Sequence, residues 1–285
     1  MSETVKVACV QLTSTTEVTR NVEIASALIR EAHAAGAQLV GLPEVVNLMQ
    51  RNRRKAAEEI RPQDAEPALR AFRDLAAELG IWLLSGSLVI KPTDDERNVN
   101  RSFLIDDKGR IVASYDKIHM FDVDLANGES FRESKAFRPG DRAVVAKTPW
   151  GGIGMTVCYD VRFPYLYRAL AKAGADILTV PSAFTRQTGR AHWHTLLQSR
   201  AIETGCFVMA PAQCGVHEDG RETYGHSLIV APWGEVLADG GDEPGVITAE
   251  LDIAQVAKAR GMIPSLYNDR DYAPPAPLGL RAAGE

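Results

Sequence analysis

The feature of this 285-residue chain that most limits its possible folds is an internal repeat. The segment GAQLVGLPE at 36–44 matches GADILTVPS at 174–182, and both contain an apolar run ended by proline. A second pair of segments, 102–113 and 227–238, shares one Ser-to-Gly spacing and predicts two hairpins with glycine turns. The sequence therefore predicts two similar halves, each built from the same kinds of strand and helix.

Each predicted half opens with an apolar strand that is followed by an amphipathic helix. Residues 5–12 predict this strand in the first half, and residues 153–158 predict it in the second. A mixed sheet with helices on one face can cover its other face with the sheet of its twin. We therefore predict an α/β fold, a four-layer α-β-β-α sandwich with an internal pseudo-two-fold repeat. Chance similarity between short strands rich in Val, Ile and Leu is the alternative.

The predicted domain covers residues 1–272, because no linker-like segment interrupts this stretch. Residues 273–285 are rich in Pro, Ala and Gly without periodicity, so they predict a tail over the surface. The chain has 32 Lys and Arg against 37 Asp and Glu, which excludes a basic nucleic-acid surface as its main feature. No apolar run approaches the ~20 residues of a membrane helix, and the N-terminus lacks the apolar core of a signal peptide.

The four cysteines, Cys9, Cys158, Cys206 and Cys214, are too few and too scattered for a disulfide framework. We expect reduced thiols. With no sign of a targeting or membrane segment, this predicts a cytoplasmic protein without a membrane or nucleic-acid partner. All except Cys158 are predicted to be buried residues of core strands.

Cys158 differs from the other cysteines because it ends a strand directly before a predicted helix. The carboxyl ends of strands carry the functional positions of open α/β sheets. A turn at this point lifts the thiol into a cleft and aims the backbone N–H groups of Tyr159 and Asp160 outward, where they stabilise negative charge. Such a position is typical of a nucleophile.

A thiol with a pKa near ~8.5 needs a base or a positive neighbour to react at neutral pH. Glu44 follows a strand and is a candidate acceptor for the thiol proton. Lys117 also follows a strand, and its ammonium group is a candidate to stabilise an oxyanion. A helix-capping Glu44 and a solvated surface Lys117 are the alternatives, since spacing alone does not bring the three side chains together.

Three motifs occur in order along the chain: LPE at 42–44, YDKIH at 115–119 and VCYDVRFP at 157–164. Together they resemble the Glu, Lys and Cys motifs of the nitrilase superfamily of carbon–nitrogen hydrolases, and the resemblance covers roughly residues 5–272. The fold of that superfamily is the same four-layer sandwich that the internal repeat predicts.

The resemblance implies a role for each matching residue. Glu44 would be the general base, Lys117 would stabilise the oxyanion, and Cys158 would be the nucleophile. The backbone N–H of Tyr159 would complete the oxyanion hole. Glu133 matches a second glutamate of the superfamily, which positions the substrate amide and the lysine.

Two details of the resemblance leave alternatives open. Glu129 lies in the same loop as Glu133 and is the other candidate for the second glutamate. Val45 and Val46 follow Glu44, where relatives often have bulkier or aromatic residues, so the pocket wall at this point is undefined.

Segments of the chain resemble the branch of the superfamily that hydrolyses amides of short 2-oxo acids; they are 121–124, 132–134, 181–184, 191–193 and 200–203. The segments APAQCG at 210–215 and YGHS at 224–227 favour the members of this branch that act on deaminated glutathione. This resemblance implies a small-molecule amide substrate such as deaminated glutathione, a Cys thioester intermediate, and no metal or organic cofactor. 2-Oxoglutaramate and an N-carbamoyl amino acid are the alternative substrates. Arg162, Arg186 and Thr188 lie just beyond predicted strand ends and are candidates to bind a substrate carboxylate.

Two other classes of function remain open. A non-catalytic thiol-binding or interaction module would keep the sandwich without turnover. A Cys–His hydrolase would use His119 or His226 as its base. Cys214 and His217 are too few ligands for a closed zinc site, and no further glycine after 151–154 completes a dinucleotide-binding motif.

The sequence also predicts two functional surfaces. The helix over 191–204, which carries Trp193, Leu196 and Leu197, is a candidate face for a homodimer. The basic run 51–55 predicts a solvated lid or an exposed helix face.

Overall fold

The computed structural model describes residues 4–125 and 128–275. Of the predicted tail, residues 273–275 are exposed and irregular, and residues 276–285 lie outside the described residues. No helix in the described ranges combines the length and the apolar character needed to cross a membrane. The described α-helices are α1 (Val18–Ala34), α2 (Arg53–Glu59), α3 (Pro67–Leu79), α4 (Pro164–Lys172), α5 (Arg186–Thr204) and α6 (Ala254–Met262).

The strands alternate with helices in both halves of the chain. In the first half they are β1 (Thr4–Gln11), β2 (Leu39–Gly41), β3 (Trp82–Leu84), β4 (Leu88–Ile90), β5 (Val99–Ile105), β6 (Ile111–Asp116), β7 (Asp122–Asp124) and β8 (Ser130–Arg132). In the second half they are β9 (Val144–Thr148), β10 (Gly151–Met155), β11 (Ala175–Thr179), β12 (Phe207–Ala210), β13 (Cys214–Val216), β14 (Glu222–Tyr224), β15 (Leu228–Val230), β16 (Val236–Asp239) and β17 (Gly245–Asp252).

Most of these strands form two sheets of matching order. The first runs β17-β1-β2-β3-β5-β4, with β6 also paired to β5, and the second runs β16-β15-β12-β11-β10-β9. In each sheet three parallel strands lie between an antiparallel strand on one side and an antiparallel hairpin on the other. The repeat read from the sequence is therefore confirmed as a repeat of topology.

The two hairpins show how closely the halves correspond. The ladder between β5 and β6 shifts register at residues 104–105, and the ladder between β15 and β16 shifts at 229–230. These sites occupy the same position in the two repeats. Gly109 and Gly234 make the turns with φ of 71° and 94°, a region that glycine enters without steric cost. Chance similarity between short strands does not explain a shared irregularity.

The side chains of β1 alternate between two cores, which shows how the layers are stacked. Val7 and Cys9 belong to the core shared with the second sheet, and the Cys9 thiol donates to the Leu228 carbonyl at 3.9 Å. Ala8 and Val10 pack instead with the apolar faces of α1 and α3. Helices α4 and α5 contact the strands of the second sheet. The predicted four-layer α-β-β-α sandwich is thus confirmed.

Helix α5 turns its apolar side chains toward its own sheet. Trp193 is 1% exposed and Leu197 is fully buried, and both belong to the core. The prediction that these two side chains form a dimer face is wrong. An amphipathic pattern predicts that the apolar face of a helix is covered, but it does not indicate whether the same chain or a partner covers that face. Leu196 is half-buried, whereas Ile202 of this helix is exposed.

Candidate active site

Glu44 lies just beyond the carboxyl end of β2 and is 5% exposed. Its Oε1 accepts hydrogen bonds from Asn100 Nδ2 and from Lys117 Nζ, both at 2.9 Å. Its Oε2 accepts the Ala183 backbone N–H at 2.9 Å. Buried carboxylates require such partners, and these three donors, from different parts of the chain, fix the orientation of this one.

Lys117 follows β6 and is 2% exposed, so its ammonium group is held away from bulk solvent. Besides its bond to Glu44, Nζ donates to Glu133 Oε1 at 2.9 Å and to Glu133 Oε2 at 2.8 Å. Burial opposes the charge, but the carboxylates of Glu133 and Glu44 outweigh it and raise the pKa of Lys117 well above its usual value. The lysine is therefore a cation at neutral pH, and its alternative as a solvated surface residue does not hold.

Glu133, rather than Glu129, contacts Lys117. Glu133 opens a 3₁₀ turn, Glu133–Lys135, and its Oε2 also accepts the Phe121 backbone N–H at 2.6 Å. Glu129 lines the same cavity. The predicted pair of glutamates around one lysine is thus present as a geometric arrangement.

Cys158 occupies a tight turn between β10 and α4. Its φ of 50° lies in the left-handed region, which is uncommon for a residue with a side chain. Its N–H donates to the Pro181 carbonyl at 2.9 Å, and the residue is 7% exposed. The prediction that the Asp160 N–H points outward is wrong, because that group donates to the Val157 carbonyl at 3.1 Å. The turn is a 3₁₀ segment, Cys158–Arg162, so the Asp160 N–H is used in a hydrogen bond within the turn.

The thiol of Cys158 belongs to the same polar cluster. Burial and the carboxylate of Glu44 raise the pKa of Cys158 well above its usual value, although the charge of Lys117 acts in the opposite direction. Glu44 and Cys158 line the same part of the cavity. The resting sulfur is therefore a protonated thiol next to a carboxylate that can accept its proton.

Asp160 connects the cysteine turn to the lysine segment, and sequence reasoning missed this role of its side chain. The carboxylate is fully buried and accepts Tyr115 OH at 2.7 Å and the Val157 N–H at 2.8 Å. Its other oxygen accepts the backbone N–H of His119 at 3.0 Å and lies 2.6 Å from His119 Nδ1. The Asp160 side chain therefore links the turn that contains Cys158 to the segment that contains Lys117.

Neither histidine of the Cys–His alternative reaches the thiol. Both ring nitrogens of His119 have other partners, since Nδ1 faces Asp160 and Nε2 lies 2.7 Å from Tyr165 OH. The ring of His226 lies 2.9 Å from an Asp239 oxygen through Nδ1. Neither histidine lines the cavity that contains Cys158.

The cluster opens into a cavity of about 900 Å³. Glu44, Lys117, Glu133 and Cys158 form one part of its wall, and Tyr159 also lines the cavity. Segment 48–60, which includes α2, contributes another part of the wall through Arg51 and other side chains. The volume is within the range of ligand pockets and is large for a simple amide.

The predicted carboxylate-binding residues are divided by the structure. Thr188 lines the cavity. Arg162 lies over the ring of Phe184 at 5.5 Å, and Arg186 forms an ion pair with Glu222 at 3.2 Å. Neither arginine lines the cavity, because each side chain turns to another partner on leaving its helical segment.

Asn100 is a second site residue that sequence reasoning missed. It lies on β5, donates to Glu44, and its backbone oxygen accepts the Lys117 N–H at 2.9 Å. Its side-chain Oδ1 is buried and has no hydrogen-bond partner among the described residues. A polar residue that interrupts an apolar strand is a weak signal, and only the register of β5 against β6 gives it meaning.

The histidines considered as metal ligands lie outside the cavity lining. His217 is buried and bonds to the Ser14 carbonyl and Thr223 Oγ1, both at 2.8 Å. In the described ranges, one group of possible ligands, His194, His226 and Asp239, forms a hydrogen-bonded cluster outside the cavity.

Comparison with known proteins agrees with this geometry. A family model described as carbon-nitrogen hydrolase matches residues 6–261. The chain belongs to the carbon–nitrogen hydrolase family. Within this family, it is 41% identical to the deaminated glutathione amidase of Mus musculus over 268 residues, which covers 93% of this chain and 83% of that protein. The resemblance drawn from the three motifs is confirmed, and the chain is an amidase that acts on carbon–nitrogen bonds other than peptide bonds.

Solved structures of other carbon–nitrogen hydrolases support the fold. The crystal structure of the Caenorhabditis elegans NitFhit protein matches with a TM-score of 0.87 and 36% identity, covering 94% of this chain and 65% of that one. This chain therefore spans slightly less than two thirds of NitFhit. A glutamate-to-glutamine variant of the amidase from Nesterenkonia sp. AN1 matches with a TM-score of 0.79 and 26% identity, covering 93% and 94% of the two chains. In that structure the acetamide moiety of fluoroacetamide is covalently added to the active-site cysteine.

Proposed function

We propose that this amidase hydrolyses the amide of a short 2-oxo acid, with deaminated glutathione as its substrate, through a thioester on Cys158. The observation that carries the proposal is the buried Glu44–Lys117–Glu133 network beside a thiol in a large cavity. The relatives named deaminated glutathione amidase, about 40% identical over most of the chain, support the choice of substrate.

In the first half of the proposed reaction, Glu44 accepts the proton of the Cys158 thiol while the sulfur attacks the amide carbonyl. Lys117 and the backbone N–H of Tyr159 stabilise the oxyanion. Glu44 then gives its proton to the amide nitrogen, the carbon–nitrogen bond breaks, and the amine or ammonia leaves. The products of this half are a neutral leaving group and a thioester on Cys158.

In the second half, Glu44 accepts a proton from water as the water oxygen attacks the thioester carbonyl. The carbon–sulfur bond breaks, the acid product is released, and the proton returns to the sulfur. Because the same carboxylate accepts and donates one proton in each half, the cycle needs no metal or organic cofactor. Glu133 holds Lys117 in place with both of its oxygens, so it is proposed as a positioning residue.

The oxyanion role of Lys117 has a geometric condition. Lys117 Nζ donates three hydrogen bonds, and all three acceptors are carboxylate oxygens of Glu44 and Glu133. The ammonium group therefore acts on the oxyanion through its charge in a water-poor site, or by exchanging one Glu133 oxygen for the substrate oxygen. Both routes keep the cation fixed before substrate binds.

The test is a side-by-side assay of three substrates with the purified chain. Release of 2-oxoglutarate reports hydrolysis of deaminated glutathione and of 2-oxoglutaramate, and ammonia release reports hydrolysis of an N-carbamoyl amino acid. We expect the highest kcat/KM for deaminated glutathione. A higher kcat/KM for either of the others would identify the alternative substrate, and no turnover of any would favour a non-catalytic module.

Covalent labelling separates an enzyme from a thiol-binding module. Cys158 lines the cavity, whereas Cys9, Cys206 and Cys214 are fully buried. We expect a slow substrate to leave an acyl adduct on Cys158 alone, detected by mass spectrometry of peptides. Equal labelling of all four thiols by iodoacetamide, with no acyl adduct, would contradict the mechanism.

We also propose that residues 1–272 act as one catalytic domain in the cytoplasm and form a homodimer. Four free thiols support a reducing compartment. For the dimer, the exposed apolar side chains Ile202, Trp233 and Ile263, which line a recess of about 200 Å³, replace the buried face predicted from sequence. Light scattering of wild type against Trp233→Glu measures this association.

A further inference from the structure

Five arginines line the cavity, and two of them form an ion pair with an acidic partner among the described residues. Arg97 forms an ion pair with Asp95, and Arg132 forms one with Asp124 through both carboxylate oxygens. Both arginines line the cavity. Because their charges are compensated on the surface, these two residues contribute little net attraction for an anion inside the cavity.

Arg221 also lines the cavity but differs from them. Within the described residues, no carboxylate forms an ion pair with its guanidinium group, and its Nε is buried without a hydrogen-bond acceptor. A buried donor without a partner is unfavourable, and the cost is removed when a ligand supplies the acceptor. The side chain thus combines a guanidinium group that has no ion-pair partner among the described residues with an unused donor at a cavity wall.

The backbone around Arg221 is rigid, so the side chain starts from a defined point. The Arg221 carbonyl accepts the His217 N–H at 2.8 Å, and the Arg221 N–H donates to Asp219 Oδ1 at 2.9 Å. Asp219 Oδ1 therefore holds the backbone of this turn, while Asp219 Oδ2 is buried without a hydrogen-bond partner among the described residues and forms no ion pair with the guanidinium group. Two residues farther on, Thr223 forms a bridge with Thr185.

The bridge between Thr223 and Thr185 connects the turn at Arg221 to the part of the cavity wall that contains Glu44. Thr185 also lines the cavity, and Ala183, two residues before it, donates its N–H to Glu44 Oε2. The strand that follows Arg221 is therefore joined through one short segment to the residue proposed as the general base. A ligand that spans this segment would contact both regions.

A second cation, Arg51, lines the same cavity as Arg221. Burial lowers the pKa of His217, the charges of Arg221 and Arg51 act in the same direction, and the charge of Asp219 opposes them. Arg51 is exposed and lines the cavity just before α2, so it adds positive potential around Arg221.

We propose that Arg221, assisted by Arg51, forms a carboxylate-binding subsite that holds an acidic group of the substrate remote from the amide that is cleaved. The proposal rests on the proposed amidase function. A guanidinium group matches a carboxylate through two parallel hydrogen bonds, so it positions the ligand as well as attracting it. Deaminated glutathione has a carboxylate at each end of the molecule, and the size of the cavity allows an extended ligand of this kind. The subsite replaces Arg162 and Arg186, which turn away from the cavity.

The test compares wild type with Arg221→Gln and, as a matched control, with Arg97→Gln, which also removes a cavity-lining charge. The substrates are deaminated glutathione and its dimethyl ester, which shares the scissile amide and has no carboxylate. For Arg221→Gln we expect kcat/KM on the acid to fall about 10- to 100-fold, mainly through KM, and on the ester less than about threefold. Arg221→Lys should recover part of the loss because it restores charge without the planar donor pair.

Three outcomes would overturn the proposal: an equal loss on acid and ester, no loss on the acid, or an equal loss from Arg97→Gln. A binding readout keeps the test independent of turnover. Glutarate should slow alkylation of Cys158 by iodoacetamide in wild type, with an apparent Kd at least about tenfold weaker in Arg221→Gln. Inorganic phosphate should protect less well than glutarate, and equal protection by the two would contradict a carboxylate site. If wild type hydrolyses neither substrate, the proposed function fails, and the glutarate measurement alone decides on the subsite.

Discussion

The two halves of the sandwich share one topology but contribute different chemical groups at their strand ends. In the parallel ladders, Leu39 pairs with Val7 and the equivalent Ile177 pairs with Ile153. By this register, Cys158 of the second half corresponds to Leu12 of the first. The repeat also makes Ser182 the counterpart of Glu44. The first half thus contributes the acid after β2, and the second half contributes the sulfur after β10.

This difference shows that the fold provides positions and that individual residues provide the chemistry. Leu12 and Ser182 are buried, as Cys158 and Glu44 are, so burial alone does not distinguish the reactive members from their counterparts. What distinguishes them is the partner set, since Glu44 bonds to Lys117 and Asn100, whereas Ser182 Oγ donates to the Val180 carbonyl at 2.9 Å. Substitutions at equivalent positions therefore test whether the reactivity belongs to these residues.

The largest effect is expected at the sulfur. Cys158→Ala removes the nucleophile, so turnover should fall by at least about 10³-fold. Cys9→Ala removes a fully buried thiol of the first half and should keep turnover while lowering the free energy of unfolding by about 1 kcal/mol. Steady-state kinetics with urea unfolding measures both. A folded Cys158→Ala enzyme with turnover near wild type would rule out the thioester route.

The next largest effect is expected at the acid. Glu44→Gln keeps the size of the side chain and removes the proton acceptor, so kcat should fall by about 10²- to 10⁴-fold. Its counterpart variant, Ser182→Ala, loses one hydrogen bond and should cost about 1 kcal/mol of stability with kcat within a few-fold of wild type. Similar losses of kcat from the two variants would break the contrast between the halves.

A smaller loss is expected at the cation. Lys117→Met removes one oxyanion stabiliser, so kcat should fall by about 10²- to 10³-fold. The variant also leaves Glu44 and Glu133 without their shared cation and should lower stability. Lys135→Met removes an exposed cavity-lining lysine and should change kcat little. Equal effects from the two lysines would indicate a general charge effect and not a site-specific role.

The smallest effect concerns stability at alkaline pH. Burial and Glu44 raise the pKa of Cys158 in the folded state, while an unfolded thiol titrates near ~8.5. Above that pH the unfolded state loses the proton first, so stability falls by about 1.4 kcal/mol per pH unit for this group. Between pH 8 and 10, Cys158→Ala should lose less stability than wild type in urea unfolding, and an identical loss would mean that the thiol is not held protonated.

The fold, and the positions of the three residues proposed to react, could be predicted from the sequence for a physical reason. Strand ends and glycine turns can be recognised from a few neighbouring residues, and the internal repeat shows each of these patterns twice. The same reasoning could not find Asn100 or the Asp160 side chain, because their roles depend on which distant segments meet. Proximity along the chain also misled, since Arg162 follows Cys158 closely but turns toward Phe184.

The side-chain stripe of α5 shows the same limit at the surface. The spacing of Trp193 and Leu197 correctly indicated an apolar face, and only the packing of the second sheet showed that the chain itself covers it. Likewise, nothing in the basic run 51–55 distinguished Arg51 and Arg53, which line the cavity, from Arg54 and Lys55, which do not. The directions of these four side chains depend on where α2 begins, and the side chain of Asn52 caps the helix at that point.

The division of the proposed reactive groups between the repeats has a consequence for any shorter form of the molecule. A polypeptide of half this length would carry either a proton acceptor or a nucleophile, but never both. Two such polypeptides would have to associate face to face before the proposed reaction could occur. The difference between the repeats at two strand ends therefore makes both halves of this chain necessary for that reaction.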